Sequence, residues 1–520
     1  MKKQLQFLLV SFGFITTVNA QLVYKDVAGI FYARCTSCHH VGSSDYPFMN
    51  YSQTALMAPA IQNDLNIGKM PPWSADTAYT RFQHERIITL PEKQKILSWV
   101  TGGALPGDTT QAPAAPVYSN QFQLAGTPDL VVSIGNFTST SNSTDKYYCF
   151  SMPSGLTQDR IIRAFEVVPG NKAIVHHAVI TADTNGTYNS DLSGGCYNIP
   201  GNLGIGTYAP GSKATVFPGM APLKAGIFLK AGSKIIIQLH YPAGSSGEVD
   251  STKLRVFFYP PGETGVRRIY STTPLQNWSM VFPPNTIKPY SAYYPSATTS
   301  LPLDLSAFAI MPHSHLLCQS ILCYAVKPGI DTIPLVRINH WDFEWQDYYT
   351  FKKLVRIPAG YKLYSKHVYD NTSSNPHNPN SPPITVYSNT GTNDEMLFDG
   401  MMYLTYQPGD ELIDIEGIIG SDPLLGVKER TTDNAIVNCF AFPNPFSNAV
   451  SLRYYLNQGC DVSVEITDLV GRTVGVFDLG KQGDGPHTWD WDAKGQGAGL
   501  YFYKLKANDF IYKNKIIKQN

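Results

Sequence analysis

Short runs of apolar and β-branched residues, separated by clusters of Gly, Pro and Asn, fill the chain from residue 122 to residue 417. Two of these runs are Asp129–Ile134 and Lys234–Gln238. Such runs predict antiparallel β-sandwiches, because alternate residues of each strand can bury one face. The segment is long for one sandwich. We therefore expect two stacked, jelly-roll-like sandwiches, over residues 122–268 and 269–418.

The composition agrees with a β-rich chain and excludes one class of partner. Only 15% of the residues are charged, whereas there are 31 Tyr and 25 Phe, which favours sandwiches over helical bundles. Lys and Arg together number 40, as do Asp and Glu. Since the net charge is zero, we expect no broad basic face and no nucleic-acid partner.

The first 20 residues have the pattern of a signal peptide. Lys2 and Lys3 precede the apolar run Leu5–Val18, and Val18-Asn19-Ala20 provides a small-residue cleavage site. The apolar run is shorter than the roughly 20 residues that a membrane-spanning helix needs. We therefore expect no membrane span. The predicted protein is exported through the periplasm and then secreted or held at the cell surface, where cysteines can oxidise.

Residues 21–104 show helical spacing and contain the motif Cys35-Thr36-Ser37-Cys38-His39. This is the spacing for covalent haem attachment, in which the two thiols bind the vinyl groups and His39 is an axial ligand. The alternatives are a redox dithiol or half of a zinc site, but the segment has no second Cys pair and no βαβ pattern. Residues 105–121, rich in Pro, Ala and Thr, are predicted to be a linker.

Met70 lies in the sequence Lys69-Met70-Pro71-Pro72-Trp73. A thioether on a loop stiffened by proline is suited to be the second axial ligand of a haem iron. With these two motifs, residues 21–104 resemble a small, all-α class I c-type cytochrome. The resemblance implies a covalent haem c bound by Cys35, Cys38, His39 and Met70.

Five histidines lie in three short stretches of the β-rich region: His176 with His177, then His240, then His313 with His315. Adjacent strand residues point to opposite faces, so His176 and His177 can share a metal only through local bending or different ring nitrogens. The spacing of His313 and His315 predicts two imidazoles on one face of a strand. Taken singly, each stretch is better explained by a buried, hydrogen-bonded histidine.

Taken together with two further motifs, the histidines form a longer pattern. In chain order, the motifs are Asp145-Lys146-Tyr147-Tyr148-Cys149, His176-His177, Gln238-Leu239-His240, His313-Ser314-His315 and Asp394-Glu395-Met396. This order and spacing resemble the copper type II, ascorbate-dependent monooxygenases, the family of peptidylglycine α-hydroxylating and dopamine β-monooxygenases. The resemblance implies two stacked β-sandwiches that each bind one copper ion.

The same resemblance assigns roles to individual residues. It implies that an electron-storing copper is held by His176, His177 and His240. It also implies an oxygen-activating copper held by His313, His315 and Met396, with Gln238 holding a water between the sites. A thioether favours Cu(I), and three protein ligands leave a position open for O₂. Structural zinc is the alternative, but zinc seldom binds Met.

The sequence departs from the peptide-amidating relatives at three positions. Met311 stands where they have an Arg that binds the substrate carboxylate, and Gly400 stands where they have a Tyr. Leu397 replaces a Cys, which removes one family disulfide. These differences argue against a peptide with a free C-terminal carboxylate as the substrate.

Six cysteines remain outside the haem motif. The family resemblance implies a disulfide between Cys149 and Cys196. Cys318 and Cys323 are five positions apart in a predicted strand and hence on opposite faces, which argues against a direct bond. A bond between Cys439 and Cys460 is left open.

The remaining aromatic and histidine residues are predicted to be structural. Trp341, Phe343 and Trp345 alternate, which is typical of a strand that faces the core. Six histidines have no partner pattern and are predicted to lie at the surface or in the core: His40, His84, His340, His367, His377 and His487.

Residues 440–520 follow a predicted linker at 419–439 and form another segment of short strands. It begins with Phe442-Pro443-Asn444-Pro445-Phe446 and ends in a basic stretch, Lys513–Lys518. The segment resembles the type A C-terminal sorting domain of the type IX secretion system of Bacteroidota. That implies a small β-sandwich recognised by the outer-membrane secretion machinery. An ordinary carbohydrate-binding or fibronectin-like sandwich is the alternative.

Together these features predict a secreted copper-dependent monooxygenase that hydroxylates a C–H bond of a small organic substrate. The reaction needs O₂ and two electrons, from ascorbate or another donor, and two coppers can store both electrons. We expect the haem to feed the copper of His176, His177 and His240. The alternatives are a secreted electron-transfer or copper-binding haem protein without oxygenase activity, and a zinc-dependent hydrolase.

Overall fold

The computed structural model describes residues 21–43, 45–116, 118, 122–425, 436–456, 459–469, 471–483, 485–507 and 510–519. The predicted signal peptide, residues 1–20, lies outside the described residues. Within the described ranges, no helix is long and apolar enough to span a membrane.

The N-terminal unit consists of four short helices around its own core. They are α1 (Tyr24–Arg34), α2 (Tyr51–Leu56), α3 (Ala58–Ile67) and α4 (Leu90–Thr101). Phe31 of α1 and Trp99 of α4 are fully buried and pack edge to face, 6.0 Å apart. At the start of α4, Thr89 accepts the Glu92 N–H and Glu92 accepts the Thr89 N–H, which satisfies two helix-end donors. A 3₁₀ turn (Thr109–Gln111) lies in the predicted linker at 105–121.

The first β-module has two main sheets. The larger sheet has the order β1-β12-β4-β9-β13, with β7 on β4 and β8 on β9, and the smaller has the order β3-β10-β5-β6. One pairing differs from the antiparallel prediction, because β13 runs parallel to β9. The strands are β1 (Leu130–Ser133), β2 (Phe137–Thr138), β3 (Lys146–Pro153), β4 (Arg160–Val168), β5 (His177–Asp183), β6 (Leu203–Tyr208), β7 (Thr215–Val216), β8 (Gly219–Met220), β9 (Leu223–Leu229), β10 (Lys234–Tyr241), β11 (Val249–Asp250), β12 (Lys253–Phe258) and β13 (Val266–Arg268).

The second β-module has two four-stranded antiparallel sheets, β14-β23-β17-β20 and β16-β21-β18-β19. A β-bulge between Ala307 and Ala309 interrupts the alternation of β17, so Phe308 packs into the core of the first module and Ile310 into that of the second. The strands are β14 (Tyr270–Gln276), β15 (Val281–Phe282), β16 (Thr286–Tyr294), β17 (Leu305–Met311), β18 (Cys318–Lys327), β19 (Asp331–Ile338), β20 (Tyr349–Ile357), β21 (Lys362–Asn371), β22 (Val386–Tyr387) and β23 (Phe398–Thr405).

The C-terminal module is a third pair of sheets, with the orders β24-β25-β28 and β27-β26-β29-β30. Trp491 and Tyr503 are buried between them. The strands are β24 (Ile436–Phe442), β25 (Ala449–Leu456), β26 (Cys460–Asp468), β27 (Thr473–Gln482), β28 (Gly485–Asp492), β29 (Gly499–Ala507) and β30 (Phe510–Lys518).

The predicted linker at 419–439 is wrong for its described first part. The helix α5 (Ile415–Gly420), preceded by a 3₁₀ turn (Asp410–Leu412), runs into this segment, and a second 3₁₀ turn (Pro423–Leu425) lies within it. Ile419 is buried in the core of the first module. Asp422 forms an ion pair with Arg163 of β4 at 2.7 Å. Residues 419–425 therefore belong to the folded β-module, because apolar burial and this ion pair fix them.

Candidate metal centres

His176, His177 and His240 converge at one end of the smaller sheet of the first module. Their Nδ1 atoms are mutually 3.2, 3.2 and 3.3 Å apart. His240 in β10 lies directly opposite His177 in β5, and the His176 N–H donates to the His240 carbonyl oxygen at 3.0 Å. The centre of such a triangle is about 1.9 Å from each nitrogen, close to the ~2.0 Å of a metal–imidazole bond. The three side chains therefore fit one metal ion.

Local bending explains how adjacent histidines share this site. β5 begins at His177, so His176 precedes the strand and is free of its alternation. Both rings then present the same nitrogen, Nδ1, to the centre. The sequence allows two ways for these adjacent histidines to share a metal: local bending of the chain, or the use of different ring nitrogens. The structure shows local bending.

Burial favours the neutral form of two of these imidazoles, and contacts orient the third. Burial lowers the pKa of His176 to about 4 and that of His177 well below its ordinary value, with smaller contributions from neighbouring histidines. The Nε2 atom of His240 lies 3.0 Å from a carboxylate oxygen of Asp145, and the ring stacks on Tyr147 at 4.4 Å. Neutral, oriented imidazoles are the form that binds a metal.

Gln238 lies two residues before His240 on the same strand and is buried. Its Nε2 donates to the carbonyl oxygen of Cys196 at 2.7 Å. Cys196 is bonded to Cys149, as the family resemblance implies. Cys439 and Cys460 are not bonded to each other, and neither are Cys318 and Cys323. The predicted role of Gln238 in holding a water stays a prediction.

The second predicted site lies where β17 ends. His313 and His315 fall in the loop between β17 and β18, and not in a strand as predicted. Their ring centroids are 5.2 Å apart at an interplanar angle of 85°. The strand prediction fails because Pro312 follows the last residue of β17, where proline cannot continue the sheet ladder.

Glu395 ties this loop to Met396. Its buried carboxylate accepts the N–H groups of His315 at 3.0 Å, Leu317 at 2.5 Å and Met396 at 3.1 Å. The Ser314 hydroxyl donates to the Met396 carbonyl oxygen at 2.6 Å and also contacts Glu395. Burial raises the pKa of Glu395 to about 8, against the opposite effect of these donors. The turn with the two histidines and the methionine segment thus share one hydrogen-bond centre.

Hydrogen bonds also leave the same nitrogen available on each ring. The Nδ1 atom of His313 pairs with Oε1 of Gln346, and Nδ1 of His315 donates to the carbonyl oxygen of Asp394 at 3.0 Å. Each ring therefore has Nε2 left to bind a metal. Burial lowers the pKa of His313, and lowers that of His315 to about 3. Two neutral imidazole nitrogens are ligands that suit copper.

The loop between β19 and β20 supports this second site. Trp341, Phe343 and Trp345 lie in this loop, so the predicted core-facing strand is wrong. Trp341 Nε1 donates to the His315 carbonyl oxygen at 3.1 Å, and the ring of Phe343 packs edge to face on His315 at 5.8 Å. Two of the three aromatic residues therefore contact His315, one at its backbone carbonyl and one at its ring.

Asp399 and His367 form a buried pair beneath the second site. Both side chains are fully buried and lie 3.1 Å apart, and Asp399 accepts the His313 N–H at 3.1 Å. Burial alone would raise the pKa of Asp399, but His367 and these donors hold it below its ordinary value. His367, predicted to be merely structural, thus acts through Asp399 on the backbone of His313. No local pattern in the sequence links these three residues.

One hydrogen bond links the surroundings of the two sites across the boundary of the β-modules. The Tyr147 hydroxyl, on the ring that stacks against His240, lies 3.0 Å from the Thr392 hydroxyl of the second module. The two donor sets therefore lie in one region of the molecule.

The haem motif lies just after α1, and its histidine is oriented. Nδ1 of His39 donates to the Tyr46 carbonyl oxygen at 2.8 Å, which leaves Nε2 as the available nitrogen. The His39 N–H bonds to the Cys35 carbonyl oxygen at 2.9 Å, so both cysteines and the histidine share one turn. Burial raises the pKa of Cys35 to about 12, which disfavours a redox dithiol with a reactive thiolate. Met70 follows α3, with its N–H bonded to Asp64 at 3.3 Å. The orientation of His39 is compatible with an axial ligand, and the haem c with Met70 as its second ligand stays a prediction.

A cavity of about 480 Å³ lies between the helical unit and the β-modules. Cys38 and Arg86 line it from the helical side, and Lys213, Trp345 and Asp347 from the β side. The guanidinium of Arg86 lies over the Trp345 ring at 4.1 Å. The helical unit therefore contacts the β-modules through a polar and aromatic interface.

Comparison with known proteins relates the β-rich part to copper enzymes. Residues 268–413 match the family model described as copper type II ascorbate-dependent monooxygenase, C-terminal domain. That range contains His313, His315 and Met396. The β-modules are thus similar to copper monooxygenases in the part of the chain that carries the second site.

Individual relatives agree with this match. Tyramine beta-hydroxylase of Caenorhabditis briggsae is 22% identical over 363 residues, which cover 64% of this chain and 57% of that protein. Dopamine beta-hydroxylase of Equus caballus is 25% identical over 250 residues, which cover 43% of this chain and 39% of that protein. The chain therefore spans less than two thirds of the length of either relative.

Two further comparisons concern the C-terminal module. Residues 446–509 match the family model of the FlgD Ig-like domain, in agreement with a small β-sandwich. A solved structure of PorZ, a type-IX secretion component of Porphyromonas gingivalis, aligns at 19% identity over 16% of this chain and 11% of that chain. Its TM-score of 0.13 is too low to indicate a shared overall fold.

Proposed function

We propose that this protein is a copper-dependent monooxygenase that hydroxylates a C–H bond of a small organic substrate with O₂ and two electrons. The observation that carries the proposal is the triangle of Nδ1 atoms, 3.2–3.3 Å on a side, in His176, His177 and His240. A chemically different set, with two imidazoles and the Met396 segment, lies across the module boundary. When bound, copper supplies one-electron redox chemistry and reduction of O₂.

The two sites would have different roles, one in electron storage and one in oxygen activation. His176, His177 and His240 would hold the electron-storing copper as neutral imidazoles. Nε2 of His313, Nε2 of His315 and the sulfur of Met396 would hold the oxygen-activating copper. The Gln346 and Asp394 contacts fix the two ring orientations.

The substrate surface is neutral at the two positions where the peptide-amidating relatives bind a carboxylate. A Cβ atom at Gly400 would lie 3.3 Å from the Met311 methyl group and 3.5 Å from the Tyr348 hydroxyl. Met311 therefore fills this space with an apolar group. We infer a substrate that has no carboxylate to be bound there.

Uptake of O₂ tests the proposal. Purified protein loaded with copper is given ascorbate and a panel of small organic compounds, and ¹⁸O₂ is followed into the product. We expect uptake stimulated by at least one substrate, with one ¹⁸O atom per product, and loss of more than about 100-fold in Met396→Ala. Two bound coppers without substrate-stimulated uptake would instead favour an electron-transfer or copper-binding protein.

The haem and the export of the protein belong to the same proposal. A covalent haem c on Cys35 and Cys38, with His39 and Met70 as axial ligands, would carry single electrons to the coppers, replacing or supplementing ascorbate. If a Met70→Ala variant kept full turnover with the physiological donor, this relay would be abandoned.

The signal peptide and residues 440–520 would direct export through the periplasm and the outer-membrane secretion machinery. A chain without residues 440–520 should then accumulate in the periplasm. Its appearance in the medium at the wild-type level would contradict a sorting role.

A further inference from the structure

The helical unit is joined to the second β-module at two points by backbone pairing. Ala75 forms a bridge with Ile338, the last residue of β19, and the Asp76 N–H donates to the Arg337 carbonyl oxygen at 2.7 Å. The Asp76 carboxylate also forms an ion pair with Arg337 at 2.8 Å. This first contact holds the end of β19.

The second contact holds the start of β20. Phe82 forms a bridge with Phe351, and the Gln83 N–H donates to the Thr350 carbonyl oxygen at 2.8 Å. Phe82 is fully buried, with its ring 5.3 Å from that of Tyr349 and 5.2 Å from that of Phe351. Both Ala75 and Phe82 belong to the core of the second module.

The two contacts flank one loop. Residues 339–348 connect β19 to β20, and we call them the bracing loop. The bracing loop holds the second metal site through Gln346 on His313 and through Trp341 on His315. Arg86, which follows the second contact, stacks over Trp345 in the middle of this loop.

We propose that segment 75–86 of the helical unit braces the metal site of His313, His315 and Met396 by fixing both ends of the bracing loop. Segment 75–86 is therefore a positioning element for the second metal site. This inference rests on the proposed function, because it assumes that copper binds there.

The contrast with the first site makes the proposal specific. The ligands His177 and His240 lie in β5 and β10 of the first module, hydrogen-bonded to each other's strands. Their positions follow from the sheet itself, whereas His313 and His315 lie in a loop. A ligand set on a loop needs neighbours to hold it, because no ladder of backbone hydrogen bonds fixes its geometry.

The test measures copper binding at one site at a time in the full-length chain. A His176→Ala/His177→Ala background leaves only the second site, and His313→Ala/His315→Ala leaves only the first. Phe82→Ala and Asp76→Asn are introduced into each background. Copper affinity by competition with a chelator, and the Cu(II) EPR hyperfine pattern, are then recorded.

The matched control is Glu92→Gln in the same helical unit. It converts an acid to an amide in the ion pair with Arg34, which joins α1 to α4 at 2.9 Å and takes no part in docking. Far-UV circular dichroism and the absorbance spectrum of the haem-loaded chain check that each variant is folded.

We expect Phe82→Ala to weaken copper binding at the second site about 10-fold and to change its EPR pattern. Asp76→Asn should act in the same direction by a smaller factor. The first site and the Glu92→Gln control should be unaffected. Changes below about twofold at the second site in both folded variants would overturn the inference, as would equal losses at both sites.

The wild-type chain separates this outcome from a failure of the proposed function. The wild-type chain could bind two coppers and show substrate-stimulated O₂ uptake while the variants keep wild-type copper affinity. That result would contradict the positioning role of segment 75–86 but not the proposed function. Absence of a second copper in wild type would remove both.

Discussion

Replacing Glu395 by Gln tests the hydrogen-bond centre of the second site most directly. Oε2 of Glu395 accepts the N–H groups of His315 and Met396, and Oε1 accepts the N–H of Leu317 at 2.5 Å. An amide of the same shape has one oxygen and one NH₂ group. Whichever way it turns, at least one buried N–H then faces another donor.

The cost follows from the number of donors left without an acceptor. An unsatisfied buried polar group costs about 1–3 kcal/mol, and here the Leu317 N–H and the new amide are both affected, so the lost hydrogen bonding alone costs about 3 kcal/mol. Copper affinity at the second site should also fall about 10-fold, because the turn that carries His315 loosens.

The assay is urea unfolding of metal-free protein at pH 9. Burial gives Glu395 a pKa of about 8, so at pH 9 its carboxylate is charged in both the folded and the unfolded chain. The cost of burying that charge in the wild type offsets part of the hydrogen-bond loss in the amide variant. Copper affinity, which compares folded chains only, is therefore the deciding measurement. Glu411→Gln is the control, since Glu411 is exposed on a 3₁₀ turn. A copper affinity at the second site within about twofold of that control would refute the assignment of Glu395 as the shared acceptor.

Three further predictions concern other parts of the fold. Breaking the Cys149–Cys196 disulfide, which spans 47 residues, should cost about 4 kcal/mol of unfolding free energy, measured by denaturation with and without reductant. Asp399→Asn should destabilise the chain by about 3–5 kcal/mol, because it breaks the buried pair with His367; an unchanged denaturation midpoint would contradict the pairing. Burial lowers the pKa of His176 from 6.5 to about 4 in the folded, metal-free chain, so the unfolded chain binds the proton first and stability falls as the pH drops from 6.5 towards 4. Thermal unfolding across that range checks the sign, and the slope should be smaller in His176→Gln.

The sequence by itself determined the β-rich architecture and the set of side chains that can bind metals. The alternation of short apolar runs and turn residues predicted the β-rich architecture, and the order of the His, Gln and Met motifs predicted the copper monooxygenase resemblance. These features are local, or they are short motifs in a fixed order, so they can be identified without knowing which distant residues meet. The Cys149–Cys196 bond, inferred from the family resemblance, is confirmed by the structure.

Only the tertiary structure decided how those residues are held. The choice of Nδ1 in His176 and His177 depends on where β5 begins, and the placement of His313 and His315 in a loop depends on where β17 ends. Local periodicity predicted strands at the second site because i, i+2 spacing is the same in a strand and in an extended loop.

The supporting contacts join residues far apart in the chain, and this is why they could not be predicted. Gln346 reaches His313 across 33 positions, and Gln83 reaches Phe351 across 268. Such contacts form only when whole sheets pack, and the residues that make them have no repeating pattern of their own. The donor atoms are therefore a property of the sequence, whereas their burial and orientation are a property of the fold.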